Sequence, residues 1–501
     1  MENLYVKLSE EIGLIEPEVY GHFSEQIGGV FYGGLWVGED SDIPNVSGFR
    51  LDAVEKLRAL RVPVLRWPGG CFAETYNWRD GIGPKKSRPV RPGWWTYDDG
   101  RLERNEVGTH EFVKLCRLIG AKPYIGINIT SMTPMDARDW MDYCNSPRGS
   151  TSLALEREKN GAPEPFGIPF WGVGNETWGG GGEMTPENYA HEYRRYAAVL
   201  YDLTRYLGGE LFISGSNGTG TDWTKRCLGE LKSLRYSQSS GYTVHYYCGY
   251  KSFECRGFDQ NHWYEQLRLV SRIQEVIENN WAVVSEYGME DSARLVIDEW
   301  GTWYKDGSGP SKGRNLFEQQ STMRDALVAG LTLNTFNNNC EKIRMANLAQ
   351  IVNCLQSVLL IGKEGCVATP TYHVFDLYQG HMGGKAVRTV LSGGSIPYTS
   401  PKDGSEKTLT RLTFSASVKA GTLTVTVTNA DPERPENLSL CTVGGSIAGP
   451  VHVRTLTAAN PDTVNTFEHP DAVCPGEIQT ASPDTIMIPP ASVVLIEAQI
   501  A

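Results

Sequence analysis

The sequence predicts an α/β fold, a (β/α)8 TIM barrel with a C-terminal antiparallel β-sandwich domain. Short apolar, β-rich runs alternate with amphipathic segments of helix length, the rhythm of βαβ units and a parallel sheet. Eight such repeats fill about 350 residues, the size of one barrel enlarged by insertions. Beyond about Phe375 the pattern becomes an alternation of apolar and polar residues, as in antiparallel strands with one buried face.

The strand candidates, in order, are Val19–Ser24, Val62–Trp67, Pro123–Asn128, Phe170–Gly174, Leu211–Gly215, Tyr242–His245, Leu295–Asp298 and Lys342–Ala346. Between them, "LDAVEKLRAL", "GTHEFVKLCRLIG", "ENYAHEYRRYAAVLYDLTRYLG" and "FEQQSTMRDALVAGLTLN" repeat apolar residues at three- and four-residue spacing, the mark of helices with one buried face. "TPEN" at Thr185–Asn188 supplies a cap and an early proline for the third of these. The run "LTRLTFSASVKAGTLTVTVTNADPERPENLSL" alternates with turn signals between, and the opening "LYVKL" alternates too. The expected organisation is therefore residues 1–18 as a strand joining the sandwich, 19–374 as the catalytic barrel and 375–501 as the sandwich.

A chain of 501 residues with 40% hydrophobic and 21% charged side chains can bury a large core. Its net charge of −12 argues against nucleic acid or an anionic membrane surface as partner, since those select clustered Lys and Arg. The N-terminus lacks the basic start and apolar stretch of a secretory signal, and no run of about 18 apolar residues occurs. Eleven cysteines without CxxC spacing read as reduced thiols. A soluble, cytoplasmic protein is expected.

Barrel enzymes keep their chemistry at the C-terminal ends of the strands. Those ends carry Glu25, Arg66, Asn128, Asn175 with Glu176, Asn217, His245 with Tyr246, Glu299 with Trp300, and Asn347 with Gln350. Glu176 and Glu299 each follow an apolar strand directly. Paired carboxylates are the machinery of glycoside hydrolysis, and the surrounding aromatics and amides suit sugar rings and hydroxyls. A lone glutamate at a strand end could equally be half of a structural ion pair; two in this company favour a site.

"GHFSEQIGG", "LRWPGGCFAETYNWRDGIGP", "NEVGTHEF", "WGVGNE", "VHYY", "IDEWGTWY", "TMRDALVAGLTLN", "ANLAQIVN" and "TPTYHVFDLY" resemble, in order and spacing, the α-L-arabinofuranosidases of glycoside hydrolase family 51. The resemblance implies a retaining exo-hydrolase that removes terminal α-L-arabinofuranosyl units from arabinan, arabinoxylan or their oligosaccharides, without a cofactor and often as a homo-oligomer such as a hexamer. It implies Glu176 as general acid/base and Glu299 as nucleophile. Asn175 would bond the sugar 2-hydroxyl, Glu25, Cys71, Tyr246, Trp303 and Gln350 would line the furanose pocket, and Arg66 and His245 would support the carboxylates from behind. Another retaining glycosidase, acting on β-galactofuranosides, xylosides or glucans, and a carbohydrate-binding protein without turnover are the alternative readings.

The string Gly179–Gly182 is expected to keep a loop free of side chains where a leaving group passes, with Trp178 to stack on it. Trp95, in the aromatic loop 94–100, is a further candidate for the leaving-group side, and the loop at 145–169 is expected to set which leaving groups fit. No HExxH or paired-histidine spacing occurs, so no metal site is expected. "GPSKG" matches the G-x-S-x-G pattern but lacks a preceding strand, and a glycan on the "NET" sequon would block the site.

Overall fold

The computed structural model describes residues 2–93, 102–235, 238–305, 309, 316–391 and 393–501. Eight parallel strands close into a barrel: Gly21–Phe23, Val64–Trp67, Lys122–Ile127, Phe170–Val173, Glu210–Ile213, Gly241–Cys248, Arg294–Thr302 and Ile343–Ala349. Every predicted strand is present. The first begins later than predicted, because Pro17 opens a short 3-10 turn, Pro17–Tyr20, that occupies its expected start. The helix read from Phe317 onward runs Met323–Asn338; Thr322 caps it, accepting from the Arg324 amide at 3.2 Å, while the Asp325 carboxylate accepts from the Thr322 amide at 2.8 Å. The Thr185 cap forms as read, its hydroxyl accepting from the Asn188 amide at 3.2 Å.

Strand alternation builds the barrel interior in layers. Val64, Tyr124, Phe170, Phe212, Val296 and Met345 form one apolar layer toward the N-terminal end. Beneath it Glu18 joins Lys122 at 2.6 Å and Arg344 at 3.3 Å, and Arg344 reaches Glu210 at 3.2 Å. Two residues above Val64 on the same face stands Arg66, so the next layer up is polar. The sequence thus changes from core to site within a single turn of the pleat.

The second domain is a nine-stranded sheet that wraps around its own apolar core, in which Leu4, Val6, Leu423, Val425, Leu438, Val494 and Ile496 are buried. The N-terminal strand Glu2–Leu14 lies inside this sheet, antiparallel to Lys385–Val390 and parallel to Glu436–Val443. The helix Pro370–Leu377 spans the position where the sequence texture changes. Helix Met323–Asn338 docks the domains: Asn337 donates to Ser415 at 3.0 Å, and Asn334 accepts from Ser415 and Thr426 at 2.9 and 2.8 Å.

Because Leu4 is fully buried in a central strand of the sandwich, Leu4→Ala is expected to destabilise the protein by about 2–5 kcal/mol. A shifted urea midpoint with unchanged turnover per folded molecule is the expected result.

Candidate active site

Arg66 is the centre of the polar layer. Its guanidinium donates to Glu299 Oε1 at 2.7 Å and to Asn175 Oδ1 at 2.6 Å, its Nε stands 3.4 Å from Asp298 Oδ2, and its plane lies over the Phe23 ring at 4.5 Å. His245 is its counterpart across the mouth. Nδ1 is 2.9 Å from Glu176 Oε1 and 3.5 Å from Glu299 Oε2, and Nε2 is 3.0 Å from Asp298 Oδ1. The Glu176, His245 and Glu299 ligand-type atoms all lie within 4.8 Å of one another. Burial alone would discharge this imidazole, but Glu299 and Asp298 reverse the sign and lift it to about 10. A protonated imidazole would have to give up a proton before it could bind a cation.

Burial raises the Glu299 carboxyl above its ordinary range; His245 and Arg66 oppose this and Glu176 adds to it. Both its oxygens nevertheless receive donors, Arg66 on Oε1 and the Tyr247 hydroxyl on Oε2 at 2.8 Å, which is the environment of a carboxylate anion. Burial also raises Asp298, yet Arg66 and His245 bring it below its ordinary value. Glu25 is held at about 8, by burial first and by Glu299 second, so it is mostly neutral near pH 7. Its oxygens accept from the Phe72 amide at 3.0 Å and from Gln350 at 3.2 Å.

The structure brings most of the predicted residues together. Glu176, Glu299, Asn175, Arg66 and His245 form one hydrogen-bonded group, and Gln350 and Glu25 form another beside it. Cys71 lies close enough to Glu176, Glu25 and Glu299 for their charges to add to the rise that burial imposes on its thiol. Among the described residues the Asn175 side-chain nitrogen is buried without a partner, a donor left over for a ligand. Trp303 packs edge-on against Tyr247 at 5.3 Å. Trp178 is half-buried on the loop after Glu176. Trp95 and the rest of loop 94–100, and Ser311 of "GPSKG", lie outside the described residues.

Tyr246 is a correction. Its hydroxyl donates to the Leu269 carbonyl at 2.5 Å, on the helix side of the strand, while Tyr247 enters the site. His245 faces inward, and strand alternation sends its neighbour outward. Trp300 likewise faces away, against Phe336 and Phe375. Asn217 is exposed, and Asn347 lies deep in the barrel beside Gly21. Asp298 was missed for the opposite reason: it faces the site together with Glu299, because strand register shifts between Ile297 and Trp300. The glycine string also meets a packing requirement that the sequence does not announce. A Cβ on Gly181 would overlap the Asn175 carbonyl, and one on Gly180 would meet Cys71 Sγ at 2.6 Å. Those two glycines let the loop fold back onto the site.

A parallel barrel whose mouth holds two carboxylates this close, backed by a buried arginine, has the arrangement of a glycoside hydrolase. Residues 56–207 match the family described as alpha-L-arabinofuranosidase 1 domain, and residues 298–492 the alpha-L-arabinofuranosidase C-terminal domain. An intracellular exo-alpha-L-arabinofuranosidase of Bacteroides ovatus is 36% identical over 499 residues, 97% of this chain and 93% of that protein. The crystal structure of the GH51 arabinofuranosidase from Xanthomonas axonopodis pv. citri superposes with a TM-score of 0.91 at 33% identity over the whole of both chains. That of the Thermotoga maritima alpha-L-arabinofuranosidase in complex with arabinose gives 0.85 at 29%, also over both whole chains. The chain belongs to the α-L-arabinofuranosidases of glycoside hydrolase family 51.

Two outcomes follow from this geometry. Tyr247→Phe removes a hydrogen bond to a buried carboxylate, worth about 1.5–3 kcal/mol, and is expected to lower kcat/KM by about 10–100-fold, whereas Tyr246→Phe should leave it unchanged. The raised value of His245 means that its stabilising contribution is complete below the ordinary 6.5 and is lost as pH climbs through about 10. Urea melts across that window should show the stability gap between parent and His245→Gln narrowing as pH rises.

Proposed function

We propose that the protein is a retaining exo-α-L-arabinofuranosidase in which Glu299 is the nucleophile and Glu176 the acid/base. The observation that carries this reading is the Glu176–His245–Glu299 contact, within 4.8 Å, close to the about 5–5.5 Å of retaining enzymes and well below the about 6.5–9.5 Å that an inverting enzyme needs for its water. Glu299, with both oxygens fixed by donors, attacks the anomeric carbon. Glu176 gives its proton to the departing oxygen, then takes one from the water that releases the sugar.

The charges support this division. Asp298, Glu299 and Glu176 are three carboxylates facing two cations, Arg66 and His245. One proton balances the group. Asn175, oriented through its oxygen by Arg66, offers its free amide hydrogens to the sugar 2-hydroxyl. Glu25, neutral near pH 7, offers a hydroxyl proton, and Gln350, Cys71 and Trp303 complete the furanose pocket, with Trp178 beside the leaving group.

The proposed substrates are arabinan, arabinoxylan or their oligosaccharides. We place the protein in the cytoplasm as a homo-oligomer; the first part rests on the Bacteroides relative being named intracellular. No helix among the described residues is long and apolar enough to cross a membrane.

The test is release of p-nitrophenol from the α-L-arabinofuranoside beside the β-galactofuranoside, β-xyloside and β-glucoside. The arabinofuranoside should be preferred, and Glu299→Ala and Glu176→Ala should each lose at least about 100-fold in kcat. Azide should rescue Glu299→Ala with an inverted glycosyl azide and Glu176→Ala with a retained one. Preference for another glycoside would overturn the substrate, and exchanged azide products would overturn the roles.

A further inference from the structure

The residue before Glu176 is held by a buried carboxyl that, among the described residues, makes no ion pair with Arg66 or His245. Glu74 lies in the short turn Cys71–Thr75, is 1% exposed, and spends both oxygens on backbone amides of two other loops. Oε1 accepts from the Asn175 amide at 2.8 Å, and Oε2 accepts from the Ile129 and Thr130 amides at 3.0 Å each. Among the described residues no cation is in ion-pair contact with it; three N–H dipoles and the Thr130 side chain offset only part of the cost of burial, which still raises the carboxyl to about 7.

What these bonds hold is a strained piece of chain. Gly174 has φ +88° and Glu176 φ +42°, a left-handed conformation that costs a residue with a Cβ about 1–3 kcal/mol unless its surroundings enforce it. Asn175 sits between them with its amide on Glu74 and its side chain on Arg66. The return of the loop is tied to the same point. Thr130, whose amide binds Glu74, donates its hydroxyl to the Gly181 carbonyl at 3.1 Å, and Gly181 packs on the Asn175 carbonyl. Glu74 therefore clamps both ends of the loop that presents Glu176.

We propose that Glu74 is a positioning residue for proton transfer: by accepting from Asn175, Ile129 and Thr130 it fixes the left-handed turn that aims the Glu176 carboxyl at the departing oxygen. The proposal rests on the reading of Glu176 as the acid/base. A near-isosteric amide cannot substitute. Glutamine presents one acceptor and one NH2, so its NH2 end must face at least one of the three backbone N–H groups and leave it unbonded.

A misplaced acid has a signature that a merely loosened fold lacks, since proton donation matters for a poor leaving group and hardly at all for a good one. Glu74→Gln should lose about 10–100-fold in kcat/KM on the phenyl arabinofuranoside and on an arabinose-substituted xylo-oligosaccharide, a fraction of the full acid/base contribution, and less than about 3-fold on the 2,4-dinitrophenyl arabinofuranoside. Azide should accelerate turnover of the dinitrophenyl substrate with a retained product, as in Glu176→Ala run alongside. If Glu74→Gln does not fold, Glu74→Asp, which keeps the charge but cannot span all three amides, is measured in the same way. An equal loss on every leaving group, or no loss, overturns the proposal while a steep leaving-group dependence in Glu176→Ala leaves the acid/base reading standing. If Glu176→Ala itself shows no such dependence, the acid/base reading fails and the proposal fails with it.

Discussion

The site depends on one buried guanidinium. Arg66, 1% exposed, binds Glu299 and Asn175 and stands against Asp298, so it joins the strand that carries it to the ends of two others across the barrel. Its planar fork makes this possible: a lysine at the same position would have to serve the carboxylate and the amide oxygen, on different strands, from a single nitrogen. Burying these charges is costly, and removing one partner of a buried pair typically costs about 3–5 kcal/mol because the other is left uncompensated. Such an arrangement makes better sense as preorganisation than as stability. Glu299 and Asn175, the proposed nucleophile and hydroxyl-binding amide, are both oriented before any sugar arrives.

The second constraint is electrical. Three carboxylates and two cations share a small volume, and environment divides the labour among them. Asp298 is driven below its ordinary value and keeps His245 charged; Glu299 has two donors; Glu25 is pushed to about 8 and becomes a neutral group able to donate. Similar side chains thus take different roles because burial and neighbours differ from one to the next.

The barrel was legible because its strands and helices have different periods, and the N-terminal strand of the sandwich was legible because "LYVKL" alternates. Glu176, Glu299 and Arg66 were legible because each follows directly on an apolar run. What failed was orientation. Tyr246 was read as inward although His245, one residue earlier, already faced the site; strict alternation points to Tyr247 instead. Asp298 defeats alternation, since a register shift turns two consecutive residues inward, and no local pattern announces that. Glu74 was hidden because its partners are backbone amides 55, 56 and 101 residues away, which side-chain identity does not encode. The glycines after Glu176 were visible as a loop, but the close approach to Asn175 and Cys71 that requires them belongs to tertiary structure.

The central claim is that the sugar passes through a covalent bond to Glu299. Glu176→Ala, supplied with the 2,4-dinitrophenyl arabinofuranoside and quenched in acid during turnover, would be digested and its peptides weighed. The account predicts one peptide heavier by a dehydrated pentose, with fragmentation placing the addition on Glu299. Addition at another residue, or unmodified peptides from an enzyme that is demonstrably turning over with inversion, would contradict it.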